Sequence, residues 1–174
     1  MSILDFLGLG KTDKPEEAGA ATDTIRRIVS KLDKLEPQRA RYIASFAYLL
    51  SRVANADLDT SPEEIGTMEH IVSEFGGLGR DQAILVVQMA KTHARLFGGT
   101  ENFLVTREFE GLATPEQKLA LLRCLFAVSA ADESISEVED NEIRRIASEL
   151  NVDKRDYTGL KAEFKDYLAV LKTS

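Results

Sequence analysis

Asp57, Asp59 and Ser61 place oxygen-bearing side chains at alternate positions, and Glu64 follows three residues after the serine. Oxygen ligands at that spacing open a calcium-binding loop. The arrangement recurs 75 residues later: Asp132, Ser136 and Glu139 stand at the matching positions, with Ser134 where the first copy has Asp59. Residues 46–75 and 121–150 align without a gap, and nine of the thirty positions are identical. The chemistry that such a duplicated acidic segment offers is binding of a divalent cation such as calcium. The correspondence to a single-loop calcium site ends early, however. The glycine needed for the sharp turn at the sixth position is Pro62, and the bidentate acid at the twelfth is Met68. Cation binding would therefore draw carboxylates from two loops, with water completing the shell. The candidate ligands are Asp57, Asp59, Glu64, Asp132 and Glu139.

The same residues also read as helix caps. Ser61-x-x-Glu64 and Ser136-x-x-Glu139 both fit the capping box, in which the serine accepts from the third helical N–H and the acid reaches back to the serine N–H. Pro62 fits a first helical position, where no donor is needed. Thr114-Pro115-Glu116-Gln117 is a third box, away from the acidic loops. Capping leaves Asp57 and Asp132 unexplained. Each falls at the C-terminal end of the preceding helix, where the negative end of the dipole disfavours a carboxylate. A neighbouring helix start, a basic side chain or a cation must compensate.

Other chemistries find little support. The chain has no C-x-x-C, H-E-x-x-H, P-loop or dinucleotide glycine motif. His70 reads as a solvated surface residue, His93 fits either core or solvent, and neither suggests zinc. Cys124 lies among Leu and Phe, where a free cysteine behaves as a small buried hydrophobe. A non-enzymatic protein without an organic cofactor is expected. The net charge of −7, with basic residues scattered among acids, argues against nucleic acid. The Arg26-Arg27 and Arg144-Arg145 pairs read as solvated helix faces. One cysteine, no secretory leader and no apolar run of membrane-spanning length predict a soluble, cytoplasmic protein.

The elements that must position the acids are helices. Apolar residues recur at helical spacing almost throughout, and no stretch alternates long enough for a strand. The expected fold is all-α, a compact bundle of about seven or eight helices in two related halves. Residues 1–20 form a short apolar segment with a polar linker, and 21–174 a single domain. Pro37 opens a helix with Ile43, Phe46, Ala47, Leu50, Val53 and Ala54 on one face. The Gly76–Gly79 run ends the next helix. A helix over residues 80–97 carries Ile84-Leu85-Val86-Val87, too many consecutive apolar residues for one face, and is expected to be central. Helices are also expected over 101–111, from Pro115 to near Asp132, over 137–150 and from near Asp153. In the last, Tyr157, Leu160, Phe164, Tyr167 and Leu171 predict a continuous packing seam.

Leu50-x-x-Val-Ala-x-Ala-Asp57 with Glu64, its echo Phe126-Ala-Val-Ser-Ala-Ala-Asp132 with Glu139, and the run over residues 114–152 resemble the tellurite-resistance protein TerB family. The resemblance spans roughly residues 38–170. It implies a compact helical bundle of two related halves and a stress-response role. It also implies that Asp57, Glu64, Asp132 and Glu139 form a metal-binding or interaction site. The module is similar, too, to a segment of some bacterial membrane-anchored J-domain co-chaperones. Where the family has glycine directly after the aspartate, this chain has Leu58 and Glu133, which predicts reshaped loops. The leading expectation is a cation-responsive interaction module; the alternative is a pure protein–protein adaptor whose acids are caps or meet a basic partner. A protein partner, membrane-associated in one version, is expected for Ile3, Leu4, Phe6 and Leu7. The competing expectation is that these residues tuck into a groove of the bundle.

Overall fold

The computed structural model describes residues 27–28, 30–54, 62–91, 102–131 and 135–167. Among them run seven α-helices: α1 (Pro37–Ala54), α2 (Pro62–Gly76), α3 (Arg80–Lys91), α4 (Asn102–Leu112), α5 (Pro115–Ala130), α6 (Glu137–Glu149) and α7 (Lys154–Ala162). Helical residues at 27–28 and 30–33 precede them, and a 3-10 turn, Lys165–Tyr167, follows. The described chain is all-α, as its periodicity predicts.

The helix starts are set locally. Pro37, Pro62 and Pro115 each occupy a first helical position, where a missing N–H leaves nothing unsatisfied. Thr114 and Gln117 close a full capping box at the start of α5. The Asp153 carboxylate accepts from the Arg155 N–H at 2.8 Å and caps α7. Helix α6 ends with Asn151 in the left-handed region, φ 59°. The Val152 N–H donates to the Ala147 carbonyl at 3.0 Å and the Asn151 N–H to that of Ser148 at 3.1 Å, the paired bonds of a Schellman stop. The glycine run does end α2, but its members differ in role. Gly76 is still helical, and a Cβ there would come within 2.9 Å of Phe46 Cζ, so α2 approaches α1 closely at this point. Gly77, at φ 70°, makes the turn.

Helix α1 is the centre of the bundle. It packs against α3, α4, α5 and α6, while α2 lies across α5 and α3, α6 against α5 and α4, and α7 against α5. The first helices of the two sequence copies, α1 and α5, touch. Each also receives the second helix of the other copy, α6 on α1 and α2 on α5. Exchanging the two copies leaves that pattern unchanged.

Three expectations need correction. The apolar face foreseen for α1 is a fully surrounded helix: Tyr42, Ala44, Ser45, Tyr48, Leu49 and Ser51 are buried along with Ile43, Phe46, Ala47, Leu50 and Val53. Its polar members can be buried because they bond locally. Ser45 Oγ donates to the Arg41 carbonyl at 2.7 Å, and Ser51 Oγ to that of Tyr48 at 2.6 Å. Tyr42 stacks on Phe109 of α4, ring centroids 5.3 Å apart. Helix α3 is well buried through Ala83, Leu85, Val86, Val87, Met89 and Ala90, but it flanks α1; residues 92–97 lie outside the described residues. The continuous seam after Asp153 is also broken. Helix α7 stops at Ala162, and the Glu163 and Phe164 N–H groups donate to the carbonyls three residues back. The turn brings Phe164 onto Phe126, centroids 5.4 Å apart and nearly parallel, while Tyr157 packs on the same ring at 6.1 Å. The Tyr167 side chain and Leu171 lie outside the described residues.

Candidate functional site

Of the five candidate ligands, Glu64 and Glu139 are described; Asp57, Asp59 and Asp132 lie outside the described residues. Glu64 and Glu139 occupy the same place in their helices, the third residue of helices that start at Pro62 and Glu137. Each therefore stands in a first turn, where the positive end of the dipole favours a carboxylate. Glu63 joins Glu64 on α2; Glu137 and Asp140 join Glu139 on α6. Glu64 is exposed and Glu139 half-buried.

The cap at α6 forms as its sequence predicts. The Glu139 N–H donates to Ser136 Oγ at 3.1 Å, and Glu139 Oε1 accepts from the Ser136 N–H at 2.9 Å. One oxygen of Glu139 is thereby engaged in holding the helix start. Ser61, which the sequence predicts to cap α2, lies outside the described residues. Among the described residues, no three of His, Cys, Asp and Glu come together closely enough to hold a metal ion.

Asp140 is differently placed. Its Oδ2 lies 3.1 Å from Lys161 Nζ on α7, while Oδ1 is buried without a hydrogen-bond partner, as is the Tyr157 hydroxyl. Burial pushes the Tyr157 phenol up to about 12, and the Asp140 charge adds to the shift. The turn that carries Glu139 is thus anchored underneath to α7.

Sequence reasoning missed the charge cluster that ties the two copies together. Arg52, in the last turn of α1, has a side chain only 8% exposed. Its Nε donates to Glu142 Oε1 at 2.8 Å, and its Nη1 donates to Glu149 Oε2 at 2.9 Å and to Thr106 Oγ1 at 3.2 Å. Burial by itself would lower the guanidinium pKa; the hydrogen bonds it donates to Glu149 and Glu142 more than offset this, and the net shift is upward. Glu149 is one of the nine repeated positions. Its counterpart Glu74 instead meets His70 at 3.0 Å on an open face, with His70 77% exposed, in keeping with the solvated reading of that histidine. A lone charged residue, Arg52, in the last turn of α1 was the available signal. Its partners are 90 and 97 residues away, beyond any local pattern. Cys124 is fully buried, and burial pushes its thiol up to about 12, so it stays a thiol.

A family model described as tellurite resistance protein TerB matches residues 42–162. The chain belongs to the TerB family. No curated protein and no solved structure matches it. Within the TerB domain the matched span begins inside α1 and ends with α7, so it takes in both acidic helix starts and the Arg52 cluster.

Two substitutions separate the structural roles. Ser136→Ala removes one cap and should cost ~1 kcal/mol. In a domain of this size that lowers the melting temperature by ~2–4 °C; an unchanged melt would show that the cap carries no stability. Arg52→Met leaves two carboxylates facing an apolar stem. Because both retain some exposure, the loss should be about 2–3 kcal/mol, below the range for fully buried pairs. Chemical denaturation reads it directly, and Glu149→Gln in the Arg52→Met background should recover part of the loss.

Proposed function

We propose that this TerB-family chain is a non-enzymatic stress-response module in which the acidic starts of α2 and α6 bind a divalent cation, calcium foremost, and present the bound form to a protein partner. The observation that carries the reading is the equivalence of Glu64 and Glu139. The two acids singled out by the duplication stand at the same third position, each in a first turn, and each is preceded in the sequence by further acids. Asp57, Asp59 and Asp132 would supply the remaining oxygens, with water completing a shell of six to eight ligands at the ~2.3–2.6 Å typical of calcium. The non-enzymatic part rests on Cys124 being a buried thiol and His70 a solvated partner of Glu74.

A second reading has its own support. Glu139 Oε1 is already engaged by the cap, and Val138 in the same turn is 78% exposed between Glu137 and Glu139. An apolar side chain flanked by carboxylates suits a basic, amphipathic partner segment, the adaptor role without a cation.

The two readings separate in one melting experiment. Glutamine closes the capping box of α5 at Gln117, so Glu139→Gln keeps the cap while removing charge. Cation binding to the native state raises stability by ~2.7 kcal/mol at a hundredfold excess over the dissociation constant. The unsubstituted chain should therefore melt several degrees higher in calcium than in chelator, and Glu64→Gln/Glu139→Gln should lose that increment. An equal melting temperature with and without calcium, together with salt-sensitive binding of a basic peptide that Glu139→Gln weakens, would establish the adaptor reading instead.

A further inference from the structure

On the side of the bundle formed by α3, the helical residues 30–33 and the turn after them leave a groove of about 360 Å³ against the start of α3. Its lining combines an apolar floor, Leu35, Ile84 and Leu85, with Lys31 and Lys34 on one wall and Asp81 and Gln82 on the other. Leu85 is buried, whereas Leu35 and Ile84 are only half-covered. The Asp81–Gln82 wall is braced: Gln82 Oε1 accepts from Arg39 Nη2 at 2.5 Å, and the Arg39 guanidinium lies 5.0 Å from the centre of the Tyr42 ring. Lys31 and Lys34 are exposed, one helical turn apart, and among the described residues neither has an ion-pair partner. The positive end of α3 opens on the same side, since that helix begins at Arg80. The groove therefore suits a short apolar segment that carries negative charge.

We propose that this groove is the docking site for the chain's own residues 2–8, Ser-Ile-Leu-Asp-Phe-Leu-Gly. That segment lies outside the described residues, and its composition suits the apolar floor and the Lys31–Lys34 wall, with Asp81 on the opposite wall the one unfavourable charge. Ile3, Leu4, Phe6 and Leu7 supply apolar side chains for the half-covered floor, and Asp5 in their midst supplies a carboxylate for Lys31 or Lys34. The acids that follow, Asp13, Glu16, Glu17 and Asp23, outnumber Lys11, Lys14 and Arg26 and extend the complementarity. The volume sits near the lower end of the ~300–1,000 Å³ common for ligand pockets, which fits a few side chains better than a whole partner helix. Geometry favours docking within one chain. Residues 9–26 lead from the segment to the very helical turn that carries Lys31 and Lys34. Eighteen residues span at most ~60–65 Å fully extended, which is ample to bring the segment to the groove. Tethering over such a distance gives an effective concentration in the millimolar range, so a contact too weak to form between separate chains is populated in one. Docked, the segment covers Leu35 and Ile84 and hides its own apolar side chains; released, it offers both surfaces to a partner.

Amide NMR spectra of the full chain, compared with those of full-length Leu4→Ser/Phe6→Ser, test this. The substitutions should shift the Leu35, Ile84 and Leu85 amides and leave those of α6 and α7 in place. Lys31→Glu/Lys34→Glu should shift the same floor amides, and adding Asp5→Lys to that background should return them toward their original positions. Floor amides that stay put when Leu4 and Phe6 are changed would overturn the proposal. So would shifts that scale with protein concentration alongside a dimer in sedimentation, because the segment would then occupy the groove of a second copy.

Discussion

A single guanidinium constrains how the two halves of this bundle meet. Helix α1 is enclosed by four other helices, and its last turn carries Arg52 into that enclosure. A buried charge without partners is intolerable, and two carboxylates on α6 together with a hydroxyl on α4 satisfy this one. Those bonds fix α6 against α1. They also set the register of the turn that begins α6, because Glu142 lies only one helical turn beyond Glu139. From the other side Lys161 holds Asp140, the residue after Glu139. The acidic start of α6 is therefore pinned on both flanks by ion pairs that do not involve Glu139 itself, which leaves Glu139 free to combine capping with a second role.

Much of the fold was legible because its helix boundaries are written locally. Thr114 with Pro115, Ser136 with Glu139, and Asp153 each mark a start by side-chain chemistry that needs no tertiary context, and all three caps form. What escaped was burial that depends on distant partners. Tyr42, Ser45, Tyr48 and Ser51 look polar in sequence, so α1 read as a one-sided helix. They are buried because the serines bond to their own helix and Tyr42 finds Phe109. The seam of Tyr157, Leu160 and Phe164 predicted contacts correctly in kind, since all three meet the core, but not a straight helix. The ring of Phe126 receives both Tyr157 and Phe164, with the backbone leaving the helix between them.

The candidate site was legible in the same measure. The duplication points to Glu64 and Glu139, and they do share a helical position; sequence alone could not show that one oxygen of Glu139 is occupied by Ser136. Nor did it single out Glu137 and Asp140, which complete the acidic first turn of α6. Membership of the TerB family places this turn and the Arg52 cluster inside one matched domain. The positive potential of a helix start favours the capping carboxylate and opposes a bound cation, so cation binding would have to draw on the charge of the carboxylates themselves. For α6 the cap uses Oε1 only, and a carboxylate offers two oxygens.

The most direct measurement is an amide NMR titration of the full chain with calcium, because it reports both helix starts at once. Cation binding predicts that the amides of Glu63 and Glu64 and those of Glu137, Glu139 and Asp140 move along saturating curves, with the Arg52 and Thr106 signals unmoved. Signals from both starts that remain in place as calcium is raised to millimolar concentrations would contradict the cation reading.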